Sequence, residues 1–190
     1  MRIGIFGGSF NPIHLGHLIL AETARDTLAL DRVVFIPSAK PPHKSSRGLL
    51  PAAVRMELVQ RAIQGQPAFV VSDIELQRPG TSYSIETVRI VRQQLPMATL
   101  FLLVGQDLLQ VRWAHWDQIK RLCTVVVATR AGVSVARRQP GIRQLSMPLI
   151  EISSSDIRAR CRGGRSIRFL VPSAVERYIA DHHLYPPRGR

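Results

Sequence analysis

Only two cysteines, Cys123 and Cys161, occur in this chain of 190 residues, and they form no CxxC pair. Neither a disulfide framework nor a cysteine-built metal site is expected from them. Lysine is scarce as well: of 26 basic residues, only Lys40, Lys44 and Lys120 are lysines. No apolar run approaches the roughly 20 residues that span a bilayer, so no membrane partner is expected. The N-terminus carries no apolar segment ending in a small-residue cleavage site, and the expected location is cytoplasmic.

Acidic residues are also few, 13 against the 26 basic ones, which leaves a net charge of +13. Such a charge invites a nucleic-acid reading. The arginines are scattered, however, and their densest cluster, residues 158–168, has no aromatic RNA-binding signature beside it. A basic nucleic-acid-binding module is therefore carried only as the alternative from another class, and no nucleic-acid partner is expected. Attraction of small anionic substrates accounts for the charge equally well.

What is present describes a folded protein. A content of 45% hydrophobic and 21% charged residues suits one globular domain over residues 1–190. Short apolar runs alternate with helical patterns. Strands are expected at 2–6, 33–36, 68–74, 99–104, 124–128 and 149–152. Helices are expected at 15–30, after Pro51, from a cap at Ser84, at 116–122, after Ser153 and after Pro172. On the second helix Val54, Leu58 and Ala62 are read as one face. Residues 38–48 and 78–84 read as loops, and 137–147 as the least patterned stretch. This alternation predicts an α/β fold with a doubly wound, mostly parallel sheet, in which ligands bind beyond the carboxyl ends of the strands.

The first strand runs into Gly7 and Gly8 and then a helix. Glycines permit close backbone approach, and a helix N-terminus offers N–H groups and partial positive charge. The pattern is neither GxGxxG nor GxxxxGK[ST]. His14 and His17, three residues apart, share one face of the helix's first turn. HExxH is absent, and zinc would want further ligands. Turn, metal site and phosphate cradle all remain open for this stretch taken alone, although imidazoles over a helix N-terminus suit phosphate oxygens. Gly16, between the histidines, is read as room for a flat base or ribose.

A second anchor is ISSSDIR at 152–158. Ser153 with Asp156 is an ordinary capping pair. Three serines and Arg158 at one helix start also make a second phosphate site. Two such helix termini suit a triphosphate.

Taken in order, GGSFNPIHLGH (7–17), KPPHK (40–44), RPGTSYSIET (78–87), VGQDLL (104–109), WAHW (113–116), ISSSDIR and the closing YIADHHLY (178–185) resemble the HxGH nucleotidyltransferase superfamily. Within it they are similar to the nicotinate-nucleotide (nicotinic acid mononucleotide) adenylyltransferases, over essentially the whole chain. The resemblance implies a Rossmann-like fold and transfer of AMP from ATP to nicotinic acid mononucleotide, with Mg²⁺ accompanying ATP. It implies that the backbone of Gly7, Gly8, Ser9 and Phe10 and the side chains of His14 and His17 hold the ATP phosphates. Gly105 and Asp107 would meet the adenosine ribose. Ser153 and Ser154 would flank the triphosphate, with Arg158 gripping it. On the mononucleotide side it implies Asn11, Lys40 and Lys44 at the phosphate or ribose, and Ser82, Tyr83 and Ser84 around the nicotinate. Trp113 would stack on the pyridine ring, with Trp116 as its rival and core packing as the other use of either. Arg130 would add positive charge. A homodimer or larger homo-oligomer is a further implication of the family. Nicotinamide mononucleotide is the alternative substrate for the same chemistry, and a non-catalytic nucleotide sensor is another alternative.

Overall fold

The computed structural model describes residues 1–41, 48–105, 113–130, 142–148 and 150–187. Six parallel strands form one sheet in the order β3-β2-β1-β4-β5-β6. In chain order the elements are β1 (Arg2–Gly8), α1 (Leu15–Thr27), β2 (Arg32–Pro37), α2 (Ala52–Ile63), β3 (Phe69–Val71), α3 (Ser84–Gln94), β4 (Thr99–Val104), α4 (Trp116–Leu122), β5 (Thr124–Arg130), β6 (Ile142–Met147), α5 (Ser154–Arg162) and α6 (Ser173–Asp181). The strand order reverses between β1 and β4, which pair through Arg2–Thr99 to Ile5–Leu102. That reversal is the crevice where parallel α/β sheets take their ligands. Gly7 and Gly8 lie at one lip of it and Gly105 at the other.

Period-two alternation splits the central strands between two cores. Phe6, Val33, Phe35, Phe101, Leu103, Val126 and Ala128 face one side, where they meet α1, α2, α5 and α6. Ile3, Ile5, Leu100, Leu102, Val104, Val125 and Val127 face the other, against α3 and α4. Both faces being covered, β4 and β5 are continuous apolar runs, as parallel sheets require.

Several expected boundaries move. The stretch read as unpatterned contains β6, while Ile150–Ile152 is not strand. β6 is an edge strand with Arg143, Gln144 and Ser146 exposed and only Leu145 fully buried, so its apolar pattern is faint. Its pairing with β5 defines it, in register from Val125–Ile142 to Arg130–Met147. α1 stops three residues early because Ala29 adopts φ 47 and Leu30 N–H closes onto Arg25 O. Ser84 is the first residue of α3, whose N-cap is Tyr83.

Cys123 closes α4, its thiol buried and donating to the Ile119 carbonyl at 3.4 Å. Burial pushes its pKa from 9.0 up to about 12, against smaller opposing effects of a Leu102 backbone hydrogen bond and of Arg92. The folded value lies above the unfolded one, so this stabilisation is complete below pH 9 and is lost as pH climbs toward about 12. Thermal melts are expected to show a shallower fall in stability between pH 9 and 11 for Cys123→Ala than for the parent chain.

Candidate active site

The turn after β1 is set by packing. Phe10 takes φ 43, a left-handed conformation unusual for a bulky residue. This folds its ring back among Phe6 (5.5 Å between centroids), Phe35 (5.9 Å) and His17 (5.2 Å). A Cβ at Gly8 would come 3.0 Å from that ring, which accounts for the glycine there. Among the described residues nothing approaches the Cβ position of Gly7 within 4 Å, so they leave that side of the strand end open.

His14 is the N-cap of α1 and His17 its third residue. Their rings stack with centroids 3.7 Å apart and planes inclined by 27°. The His14 backbone N–H donates to His17 Nδ1 at 3.2 Å. A neutral His17 ring that accepts at Nδ1 carries its proton on Nε2, which makes that nitrogen a donor. Gly16 serves this pair: a Cβ there would lie 3.2 Å from His14 Nδ1 and 3.4 Å from Ile150 Cγ2. The room expected for a base or ribose is thus taken up by His14 and Ile150. The helix end also offers fewer N–H groups than its position suggests. Leu15 N–H is bonded to Leu170 O at 2.9 Å, and His17 N–H turns back to His14 O at 3.0 Å. What this end can offer an anion is chiefly the imidazoles and the helix dipole.

The second motif is stitched directly to the first. Ser153 caps α5 by accepting from Asp156 N–H at 3.0 Å. Ser154 Oγ donates to Pro12 O at 2.9 Å, and Arg158 donates to Asn11 O at 2.8 Å and to Ser155 Oγ at 3.1 Å. Two helix starts far apart in sequence therefore stand together at the sheet's carboxyl edge. Burial, reinforced by Arg162 and opposed by Tyr185, lowers the Arg158 pKa, yet a guanidinium stays charged at any working pH.

Asn11 is buried and structurally engaged. Its Nδ2 donates to Gly48 O at 2.9 Å, and its Oδ1 accepts from Leu50 N–H at 3.3 Å and Tyr185 Oη at 2.9 Å. Ser82 Oγ accepts from Ala39 N–H at 3.0 Å and Lys40 N–H at 3.2 Å, while Ser82 N–H donates to Lys40 O. This pins the loop after β2 against the one before α3. Lys40 and Tyr83 are exposed at that junction. Trp113 and Trp116 lie 5.3 Å apart, both packed on the α3–α4 side of the core, so each has a packing role. Lys44 and Asp107 lie outside the described residues, and so does the side chain of Arg130.

Two features were missed from sequence. Glu75 and Thr87 are buried together: Thr87 Oγ1 donates to Glu75 at 2.5 Å and accepts from Arg78 at 3.1 Å, beneath the RPGTSYS turn. The other is Arg55, only 1% exposed. Its guanidinium donates to Leu50 O (2.9 Å), Ser9 O (2.8 Å) and Ser38 O (2.7 Å). The signal for it was its place on α2's buried stripe with Leu58, Val59 and Ile63, one residue off the face expected from Val54, Leu58 and Ala62.

Among the described residues no group of three or more His, Cys, Asp or Glu side chains could hold a metal ion. No helix among them is long and apolar enough to cross a membrane.

Residues 5–160 match the cytidylyltransferase-like family model. The chain is 42% identical over 193 residues to a Salinibacter ruber protein, covering 98% of this chain and 99% of that one. It is 43% identical over 187 residues to a Thermus thermophilus protein, covering 97% and 100%. Both relatives bear the name "Probable nicotinate-nucleotide adenylyltransferase". In three dimensions it is similar to Plasmodium falciparum nicotinic acid mononucleotide adenylyltransferase complexed with NaAD, with TM-score 0.82 and 17% identity over 97% of each chain. The same protein complexed with APC gives 0.80 and 16%, over 97% of this chain and 96% of that one. At such identities the likeness shows the fold.

The Arg55 anchor generates a stability prediction. Arg55→Lys keeps the charge but cannot reach three carbonyls at once. A loss of roughly 2–4 kcal/mol in urea unfolding is expected, with the m-value unchanged.

Proposed function

We propose that this chain, which belongs to the nicotinate-nucleotide adenylyltransferase family within the cytidylyltransferase-like group, transfers AMP from ATP to nicotinic acid mononucleotide. The products are deamido-NAD and pyrophosphate. The observation that carries this reading is the stitching of the Asn11–Pro12 turn to α5 through Ser154 and Arg158, beside the stacked histidines.

A phosphate oxygen of the mononucleotide attacks the α-phosphorus of ATP in line. One P–O bond forms there while the bond to the β-phosphate oxygen breaks, and pyrophosphate leaves. The attacking oxygen is already ionised at neutral pH, so no protein base or nucleophile is needed. Catalysis then comes from placement and charge stabilisation. His17, donating from Nε2, and His14 steady the phosphates at the α1 end. Ser154 and Arg158 do so at the α5 end, and the open side of Gly7 admits the chain of phosphates between them. The family generally uses a divalent cation with ATP. Mg²⁺ bound to the triphosphate would offset its charge and be held by phosphate oxygens, a fit to a site without a protein ligand cluster among the described residues. Lys40, Ser82 and Tyr83 form the mononucleotide side, with Ser84, Lys44 and Trp113. Gly105, Asp107 and Arg130 complete the assignment. The whole chain acts as one unit, in the cytoplasm, and as a homodimer or larger homo-oligomer.

Turnover on nicotinic acid mononucleotide, followed by pyrophosphate release, is expected to exceed that on the nicotinamide analogue, and the reverse order would reassign the substrate. His17→Ala is expected to lower kcat by about 10²–10³ while the melting profile stays close to the parent's. An active, normally folded variant would remove the role given to His17.

A further inference from the structure

The closing YIADHHLY segment has no part in the chemistry above, yet it ends inside the site. α6 buries Val175 and Ile179 against the core, and Arg61 of α2 lies over the Tyr178 ring at 4.6 Å. Beyond α6 the chain turns back through two bulky left-handed residues, His183 (φ 46) and Tyr185 (φ 59). L side chains disfavour that region, so the turn is held by what it achieves. It takes the Tyr185 ring out of solvent, to 4% exposure, and aims its hydroxyl at Asn11 Oδ1. Burial, outweighing the nearby Arg158, pushes the phenol pKa up, so the group remains a donor at working pH.

Asn11 joins three segments. Its carbonyl faces α5 through Arg158, its Nδ2 holds Gly48 O, and its Oδ1 holds Leu50 N–H together with the Tyr185 hydroxyl. Two donors on one oxygen fix which end of the amide is which. A flipped amide would set its own NH₂ against the Tyr185 hydroxyl and the Leu50 N–H. Residues 48–50 lead into α2, and Arg55 binds both Leu50 O and Ser38 O, which brings them to the 38–41 segment that carries Lys40. The triphosphate side is held by separate bonds, from Ser154 to Pro12 and from Arg158 to the Asn11 backbone.

We propose that Tyr185 is a positioning residue for the mononucleotide, acting through the Asn11 side chain on residues 48–50. The proposal rests on the function given above. A tyrosine that only anchored the C-terminal segment would change stability and leave the kinetics alone, whereas the connection through Asn11 has a kinetic signature on one substrate.

Tyr185→Phe keeps the ring and removes one hydroxyl. With each substrate varied in turn, the KM for nicotinic acid mononucleotide is expected to rise about five-fold, while kcat and the KM for ATP stay within about two-fold. In a cycle with Asn11→Ala, the second substitution is expected to add little to the first, because both break the same link. A parent chain inactive on this substrate pair would overturn the functional reading and this proposal with it. An active parent whose Tyr185→Phe form keeps both KM values, or raises both equally, would overturn the proposal alone. A variant that does not fold at the assay temperature would do the same, since the hydroxyl would then support the fold and not residues 48–50.

Discussion

The site hangs on a buried positive charge. Arg55 reaches Ser9 after β1, Ser38 after β2 and Leu50 before α2, so one guanidinium ties the glycine turn to the end of β2 and to the start of α2. Burial pulls its pKa down, with Tyr185 and Glu75 opposing, but a guanidinium does not surrender its proton. A buried charge must be compensated, and here three carbonyl dipoles do it without a bonded carboxylate among the described residues.

The rest of the site follows from where the sheet reverses. β1 and β4 are neighbours whose connections leave on opposite faces, and the crevice between their carboxyl ends is open by topology alone. α1 and α5 both start at that edge, on the same face. Backbone carbonyls of the Asn11–Pro12 turn then serve as acceptors for Ser154 and Arg158. The clamp proposed for a triphosphate is therefore one whose two halves are joined by mutual hydrogen bonding. Such preorganisation is what phosphoryl and nucleotidyl transfer needs, since there is little covalent work for the protein to do.

Much of this was legible in the residues, for identifiable reasons. β4 and α4 fell at their observed limits because one is a continuous apolar run and the other a short stretch ended by Cys123. The two strand-to-helix turns were visible because glycine, serine and histidine cluster there between apolar runs. β6 was not, because an edge strand needs few apolar residues and its pairing is written in β5. The end of α1 was hidden because its left-handed residue is Ala29 and not glycine. Arg55 was one of many scattered arginines, although its spacing placed it on the buried stripe of α2. Asn11 was read as facing substrate, and its bonds to residues 48, 50 and 185 are long-range facts that no local pattern encodes.

The central claim is a direct attack on the α-phosphorus by the mononucleotide, with the protein as clamp and not as nucleophile. It is tested most directly by single-turnover reaction with ATP labelled at the α-phosphate, in the presence of nicotinic acid mononucleotide. The account predicts that all of the consumed label appears in the dinucleotide, with one pyrophosphate released for each, and none on the acid-quenched protein at any time. Label covalently held by the chain, or recovered in ADP, would contradict it.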